Sequence, residues 1–243
     1  MKKIAFLCGV LVSTLLWASN SFSEGSGRTL YVNNKDPACG GRSPCYKTIQ
    51  AAVTAAFQGD VVQVQAGTYR EQLTIDGRNN FAGATETSRI IIEADPSLPP
   101  GNVTLRPPPA SCLNGQAVLI RRSKFVTLRG LTITGAVGAG VVLLGGPQQN
   151  QAIHIERNRI FGNGSSNCPG GGIAVALGNP DTLILNALIY GNGGNGITFA
   201  DPGGGPHWVI QNTIHGNGWN GVGMVLGQTV TVANSVLPCT SQG

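Results

Sequence analysis

The segments "RNRIFGNG" (157–164), "NALIYGNG" (186–193) and "QNTIHGNG" (211–218) repeat one pattern: an isoleucine, a variable residue and then Gly-Asn-Gly. An apolar run that opens with glycine follows each of them, as in "GIAVAL" from Gly172 and "GITFA" from Gly196. Self-similarity at a nearly constant length is the sequence signature of a repeat architecture, in which each unit buries its apolar face against the next.

The repeating unit predicts one coil of a parallel β-helix. Each unit holds short runs in which apolar residues alternate, with no helical periodicity and no two-residue hairpin turns. Alternation along "IAVAL" predicts that Ile173, Val175 and Leu177 point into the interior. The anchor isoleucines recur at intervals of 25 to 29 residues, at Ile133, Ile160, Ile189 and Ile214.

Asparagines are expected to form the turns between strands. Asn158, Asn212 and Asn234 share one alignment column, which Ala187 interrupts. Because asparagine tolerates the left-handed conformation and can hydrogen-bond its counterpart on the next coil, this column predicts an asparagine ladder. Gly-Asn-Gly marks another corner, where glycine supplies a positive φ, so it is interpreted as structural.

The chain divides into three segments. Residues 1–23 begin with a basic stretch, continue with an apolar run too short for a membrane span and end in small residues, the pattern of a signal peptide. Residues 24–58 are expected to hold an N-terminal strand, a cysteine loop and an amphipathic capping helix at 46–57. Residues 59–243 are expected to form the β-helix repeats, of about seven coils. The mature chain is therefore expected to be secreted or periplasmic, without a membrane span.

Cysteine usage fits export. Cys39 and Cys45, in "CGGRSPC", are predicted to form a disulfide, because an oxidising compartment favours closure of this small loop. The pairing of Cys112, Cys168 and Cys239 stays open. The sequence ends in half a coil without a capping helix. An uncovered edge is an aggregation hazard, so we expect either a truncated chain or a partner on that end, including self-association through Cys239.

The order of the N-terminal segments is distinctive. "TLYVNNKDP" precedes "YKTIQAAVTAAFQGDVVQVQAGTYREQLTI", then "SRIIIEAD" and "FVTLRGLTITG". This succession resembles the pectate-lyase-like right-handed β-helix superfamily, in particular secreted polysaccharide lyases of the chondroitinase-B and alginate-lyase type and exported β-helix repeat proteins. The resemblance implies an all-β fold, a single-stranded right-handed parallel β-helix. It leaves activity open, because lyases, hydrolases, epimerases and non-catalytic adhesins share the scaffold.

The catalytic signatures of that superfamily do not carry over. Calcium takes six to eight oxygen ligands. Residues 96–180 contain a single acid, Glu156, so the carboxylate cluster that a calcium site needs is lacking. No Asn-Thr-Asp or Asp-Asp motif for acid–base hydrolysis occurs, and His207 in "ADPGGGPHW" comes too late for the Asp-Pro-His of the epimerases. No metal ligand and no cofactor is assigned, with calcium as the open alternative.

Basic residues are the candidates for chemistry. Residues 96–180 contain seven of them, which stacking would place in a stripe that suits a uronate or sulfated chain; the alternative is a solvated basic face. Chondroitinase-type lyases use a lysine and an arginine in β-elimination. The candidates for catalytic residues are Lys124, Arg157, Arg159 and His154. Arg129 is the candidate for a substrate ligand.

Aromatic side chains are the candidates for sugar contacts. Phe161, Tyr190 and His215 occupy one column and should stack on the outer surface, where they contact sugar rings or merely protect the coils. His207 and Trp208 follow the glycine-rich "DPGGG", which we expect to form one wall of a groove, with Trp208 as a substrate ligand. All three histidines are expected to face outwards.

The sequence thus predicts a secreted β-helix repeat protein that binds or processes an extracellular polysaccharide, most readily an acidic one. The alternatives are a polysaccharide lyase that acts by β-elimination and a purely structural or adhesive surface module. Nucleic acid is not an expected partner, since no binding motif occurs. The net charge is also small: removing two signal-peptide lysines from 16 basic residues leaves 14 against 11 acids.

Overall fold

The computed structural model describes residues 27–165, 167–168, 170–202, 204–225, 227 and 229–236. The predicted signal peptide and Cys239 lie outside these residues. None of the helices in the described ranges is long and apolar enough to cross a membrane.

The chain winds through successive three-stranded coils. Before the first coil come β1 (Thr29–Val32), β2 (Cys45–Tyr46) and α1 (Ile49–Ala55). Coils 1 to 3 contain β3 (Val61–Val64), β4 (Gly67–Tyr69), β5 (Leu73–Asp76), β6 (Ile90–Ala94), β7 (Val103–Leu105), β8 (Val118–Arg121), β9 (Lys124–Arg129), β10 (Thr132–Thr134) and β11 (Val141–Leu144). Coils 4 to 6 contain β12 (Gln151–Glu156), β13 (Arg159–Phe161), β14 (Ile173–Ala176), β15 (Thr182–Leu185), β16 (Leu188–Tyr190), β17 (Ile197–Ala200), β18 (His207–Ile210), β19 (Thr213–His215) and β20 (Val222–Met224), and β21 (Val230–Ala233) follows. Three-residue 3-10 helices occur at Cys39–Gly41, Glu86–Ser88 and Cys112–Asn114.

Each coil contributes one strand to each of three parallel sheets. Sheet A runs in the order β2-β1-β3-β6-β9-β12-β15-β18-β21, sheet B is β4-β7-β10-β13-β16-β19, and sheet C is β5-β8-β11-β14-β17-β20. Every coil therefore passes from sheet A to B to C before it returns to A. This is the predicted single-stranded parallel β-helix, with six complete coils and the first strand of a further one among the described residues.

Alternating side chains fill the interior of the coils. In β14, Ile173 and Val175 are fully buried, and Ala174 and Ala176 face outwards, as predicted. The prediction that Leu177 continues this inward row is wrong. Leu177 ends the strand with a φ of 64° and is 59% exposed, because the left-handed turn that leaves sheet C rotates its side chain out.

Helix α1 covers the N-terminal end of the coils, as predicted. Thr48 caps the helix by accepting a hydrogen bond from the backbone N–H of Ala51. The carboxylate of Glu71 accepts the N–H groups of Ile49 and Gln50, at 2.9 and 2.8 Å. The buried side of the helical segment consists of Ile49, Ala52, Val53 and Ala56.

The predicted asparagine ladder exists, but in a different column. Asn158 and Asn212 are buried and bond backbone groups of the preceding coil. Asn234 does not continue their column, because β21 pairs with β18 one residue out of the expected register, so Ser235 takes that place and accepts the N–H of Asn212. Asn234 instead occupies the position equivalent to the turn residue Gln211 of the preceding coil. Both residues have a left-handed backbone, with φ values of 49° and 55°.

Gly-Asn-Gly forms the continuous ladder instead. The side-chain amide of Asn163 donates to Asn192 at 3.0 Å, and that of Asn192 donates to Asn217 at 2.9 Å. All three asparagines also bond the main chain of neighbouring coils, and they are at most 5% exposed. The first glycine of each triplet has a φ near 60°, which glycine adopts without strain. The motif therefore holds the coils together.

A second buried ladder runs under the corner between sheets C and A. Asn150 donates to Asn179 at 2.7 Å, and the backbone N–H of Asn179 donates to Asp201 at 2.8 Å. The expectation that His207 faces outwards is wrong. Its ring is fully buried, stacks on Phe199 with centroids 4.8 Å apart, and has Nε2 3.6 Å from an Asp201 carboxylate oxygen. His207 is the first residue of β18 and falls in the inward phase of that strand.

Two disulfides are present in the described part of the chain. The predicted Cys39–Cys45 bridge closes the loop before β2. A second bridge joins Cys112 to Cys168 and ties the loop before β8 to the loop before β14. This answers the open pairing for two of the three remaining cysteines.

Candidate functional site

A network of alternating charges lies on the outer face of sheet A. His154 and Glu156 project from β12 beside Thr127 and Arg129 of β9. The imidazole Nδ1 is 3.2 Å from a Glu156 oxygen, and Nε2 is 3.3 Å from a guanidinium nitrogen of Arg89. His154 faces outwards, as predicted, and both of its ring nitrogens have a partner.

Arg129 and Arg89 extend this network to further carboxylates. Arg129 donates to Glu93 at 2.9 Å through Nε and has Nη1 3.9 Å from Glu156. Arg89 binds Glu86 with two hydrogen bonds, of 2.8 and 2.7 Å. Each guanidinium in this network therefore already has a carboxylate partner.

The electrostatics of the network favour a neutral imidazole. Burial lowers the pKa of His154, the Arg89 charge lowers it further, and Glu156 offsets part of this effect. The hydrogen bond from Arg89 in turn lowers the pKa of Glu86. A neutral His154 whose Nδ1–H donates to Glu156 presents a lone pair at Nε2, which acts as a base only if Arg89 moves away.

The other catalytic candidates do not join this network. Lys124 lies level with Gln151, at the start of β9 and β12. Arg157 is exposed in the turn after β12, with a φ of 53°. Arg157 lies six residues past Gln151, which is level with Lys124. At the rise of a β-strand, this separates Arg157 from Lys124 by about 20 Å. Trp208, predicted as a substrate ligand, shares the outward column of His154 but stands two strands away, about 10 Å. Their roles stay predictions.

The aromatic column stacks as predicted. Ring centroids of Phe161 and Tyr190 are 4.9 Å apart, and those of Tyr190 and His215 are 5.3 Å apart, with interplanar angles of 13° and 10°. Because Tyr190 lies between the other two rings, both of its faces are covered and a ligand reaches only its edge. Sugar rings stack on aromatic faces, so this geometry favours a stabilising role for the column.

Sheet B carries a charge pattern that the sequence reading missed. Arg70 and Arg106 directly follow β4 and β7, and the strand register places them side by side. Arg159 projects from β13, with Nη1 next to Gly101 and Nη2 3.5 Å from the Tyr190 hydroxyl. We name the outer surface formed by Lys35, Arg70, Arg106 and Arg159 the arginine face.

The arginine face contains no acidic counterpart. The strands of sheet B that the structure describes include no Asp or Glu. None of the four cations of this face takes part in an ion pair among the described residues. Glu71 follows Arg70, but its carboxylate is occupied by the N-terminus of α1. Aligning the residue after each sheet-B strand brings Arg70 beside Arg106, but it does not find Arg159, which lies within β13, or Lys35.

A shallow groove of about 650 Å³ opens at one end of the arginine face. Threonine hydroxyls and asparagine amides supply most of its polar groups, and Lys35 supplies its charge. Gly101, which also lies against Arg159, belongs to the lining. The groove is therefore continuous with the arginine face.

The predicted basic stripe is only partly present. Arg121 and Arg122 form ion pairs with Asp76, at 3.0 and 2.6 Å, and Arg129 pairs with Glu93. These carboxylates precede residue 96 in sequence, so the count of acids over 96–180 did not include them. Within the described ranges, no group of three or more His, Cys, Asp or Glu side chains is placed to hold a metal ion.

Comparison with solved structures shows the same fold. An alginate lyase from Paenibacillus sp. str. FPU-7 superposes with a TM-score of 0.58 at 19% identity, covering 86% of this chain and 65% of that one. The pectate lyase Pel9A gives 0.55 at 12% identity, covering 80% and 56%. ORF18 of Geobacillus virus E2 gives 0.54 at 15%, covering 84% and 48%. The chain thus spans less than two thirds of each.

Sequence comparison identifies the family. A search of curated proteins finds no match. A family profile described as "Right handed beta helix region" matches residues 113–237, which include the Gly-Asn-Gly repeats. The three parallel sheets and the buried asparagine ladders agree with this family assignment. The chain therefore belongs to the right-handed β-helix family.

Proposed function

We propose that this protein is an exported β-helix protein that binds an acidic polysaccharide along the arginine face. The observation that carries the proposal is the row of cations without carboxylate partners on sheet B. Elsewhere on the described surface, Arg89, Arg121, Arg122 and Arg129 have carboxylate partners, whereas Lys124 and Arg157, like the cations of the arginine face, form no ion pair. The arginine face differs in that several such cations lie together, and an external anion would complement them.

The position of Arg70 beside Arg106 strengthens this reasoning. The register places Arg70 and Arg106 on adjacent strands, whose backbones are about 4.8 Å apart, and like charges at neighbouring positions of a sheet are unfavourable unless an anion offsets them. A guanidinium binds a carboxylate or sulfate through two parallel hydrogen bonds. A chain that carries such groups at intervals can bind several of these cations at once.

Two further observations support a secreted polysaccharide binder. The Cys39–Cys45 and Cys112–Cys168 bridges are typical of oxidising compartments, in line with the predicted signal peptide. Two of the similar folds are enzymes named for alginate and pectate, polymers of sugar acids. In this chain the closed charge network of sheet A presents no unoccupied base, which favours binding over catalysis.

Isothermal titration calorimetry tests the proposal. We expect polygalacturonate to bind the wild-type protein and dextran not to bind. The double variant Arg106→Gln/Arg159→Gln should lose about tenfold or more in affinity, since each charged hydrogen bond contributes about 1.5–3 kcal/mol. The matched control Arg121→Gln/Arg122→Gln should bind like the wild type. Equal loss in both double variants, or equal binding of dextran, would overturn the proposal.

A polysaccharide lyase is the second candidate, and His154 is the observation that favours it. A neutral imidazole oriented by Glu156 is the form that a β-elimination base requires. A substrate carboxylate that draws Arg89 away would free Nε2 for proton abstraction. The test is ultraviolet absorbance of unsaturated uronate, with pectate, alginate, chondroitin and heparan chains. A rise that His154→Gln abolishes establishes the lyase, and no rise from folded protein excludes it for these substrates.

A further inference from the structure

A groove of about 510 Å³ opens on the opposite side of the coil, at the corner between sheets C and A. We name it the amide groove, because side-chain amides dominate its lining. Its lining residues are Asn80, Lys124, Pro147, Gln148, Gln149, Gln151 and Pro180. It shares no residue with the arginine face. Its volume lies in the range of about 300–1,000 Å³ that is usual for small-molecule sites.

Lys124 supplies the one charge in this lining. No ion pair among the described residues includes it. A lysine ammonium is a point charge with three donors, which suits a single carboxylate. The lining thus combines one cation with several neutral hydrogen-bonding groups.

The amides set the rest of the chemistry. Each asparagine or glutamine offers both a carbonyl acceptor and an NH₂ donor, the pair that a hydroxyl group needs. Asn80 donates to Gln148 at 3.2 Å across the rim, which leaves Gln149 and Gln151 for a ligand. Pro147 and Pro180 add apolar ring surface that can contact the C–H groups of a sugar. A ligand that matches this lining carries hydroxyl groups, one carboxylate and C–H faces. A uronic acid has all three.

The buried ladder beneath the groove fixes its residues in place. Lys124 follows Ser123, whose backbone N–H donates to Asn150 at 2.9 Å. Gln149 and Gln151 flank Asn150, which is fully buried and donates to Asn179 at 2.7 Å. Three successive coils therefore hold the groove residues rigidly, which lowers the entropic cost of binding.

The side chain of Gln149 lies against Gly178. A Cβ added at Gly178 would lie 2.8 Å from Cγ of Gln149, so a larger residue there would push the Gln149 side chain aside. The backbone of Gly178, with a φ of 91°, also disfavours any other residue. Glycine at position 178 therefore leaves the space that the Gln149 side chain occupies at this edge of the amide groove.

We propose that the amide groove is a second carbohydrate site, which binds a single uronic acid unit through Lys124 and the amides of Gln149 and Gln151. The site goes beyond the proposed function, because it is separate from the arginine face and does not depend on it. A polymer bound on sheet B and a sugar acid in this groove would occupy different sides of the molecule.

Nuclear magnetic resonance titration of the side-chain amides tests the site. Galacturonic acid should cause saturable shifts at Gln149 and Gln151, whereas galactose should bind about tenfold or more weakly, since it lacks the charged contact. Lys124→Met should weaken galacturonic acid binding by about the same factor. Lys47→Met removes an exposed lysine outside the groove and should leave binding unchanged.

Simple anions separate a sugar-acid site from a general anion site. Acetate and inorganic phosphate should leave the glutamine amides unshifted at concentrations where galacturonic acid saturates. Equal shifts from either anion, equal binding of galactose, or no shift at all would each overturn the proposal. The Arg106→Gln/Arg159→Gln variant should retain galacturonic acid binding, so failure of the arginine face and failure of the groove are distinguishable.

Discussion

At the scale of single residues, Asn192 shows what Gly-Asn-Gly contributes. Its side chain is 2% exposed and bonds both Asn217 and the carbonyl of Ile160. Replacing Asn192 with alanine leaves buried partners on two neighbouring coils without a bond. We therefore expect Asn192→Ala to lower the free energy of unfolding by about 2–3 kcal/mol, measured by urea denaturation.

The control for this prediction is Asn220→Ala. Asn220 makes a similar side-chain bond, to Asn195 at 3.2 Å, but in an exposed position where water replaces the lost partner. It should change the unfolding free energy by no more than about 0.5 kcal/mol. If both variants lost the same stability, burial of the ladder would not be the source of its effect.

His207 predicts a specific pH dependence. Burial lowers the pKa of its ring, and Asp201 and Asp181 only partly offset this. The unfolded chain therefore binds a proton more readily than the folded one. Stability should be fully present above the unfolded pKa of about 6.5 and should fall as the pH drops below that value.

Urea unfolding at pH 7.5 and 5.5 measures this effect. The loss of stability in the wild type should be smaller in His207→Phe, whose ring keeps the stacking on Phe199 but does not titrate. His154→Gln serves as the control for the second histidine with a lowered pKa. A pH dependence unchanged in His207→Phe would contradict the assigned cause.

At the scale of elements, β14 tests the inward register. Ile173 is fully buried, whereas Leu177, four residues on, is 59% exposed. We expect Ile173→Ala to cost about 2–5 kcal/mol of unfolding free energy and Leu177→Ala about 0.5 kcal/mol or less. Thermal or urea unfolding of the two variants makes the comparison. A larger loss of stability from Leu177→Ala than from Ile173→Ala would mean that Leu177 faces the interior, and would contradict the register of β14.

Strands and capping helix were predictable from sequence because each reflects local periodicity. The alternation in β3 and β14 and the apolar side of α1 needed no knowledge of neighbours. Turns were harder, since one extra or missing residue shifts a whole column, as at Asn234. The alternation in sequence predicts that Leu177 points inwards, but its side chain points outwards, because the left-handed turn at this residue breaks the period of two.

The candidate sites were less predictable, because they depend on pairings between coils. Arg129 and Glu93 are 36 residues apart in sequence yet share a hydrogen bond. Without the strand register, the sequence places Arg129 in a basic stripe and gives no sign that Arg70 lies beside Arg106. The outward position of His154 and the stacking of Phe161 on Tyr190 were predictable, because they follow from the repeat alone.

At the scale of the whole molecule, charge is segregated by face. Sheet A neutralises its arginines internally, whereas the cations of sheet B have no carboxylate partner in the described part of the chain. Screening by salt should therefore weaken polysaccharide binding strongly. Raising the ionic strength from 0.1 M to 1 M shortens the Debye length from about 10 Å to about 3 Å. We expect calorimetry with polygalacturonate to show at least about a tenfold loss of affinity. Salt-independent binding would contradict an electrostatic face.

The most direct test of the central claim is chemical footprinting of arginines. Phenylglyoxal modifies accessible guanidinium groups, and mass spectrometry reads each site separately. With polygalacturonate bound, the account predicts protection of Arg70, Arg106 and Arg159, and unchanged modification of Arg121 and Arg122. Equal protection at all five arginines, or protection at Arg121 and Arg122 alone, would contradict binding along the arginine face.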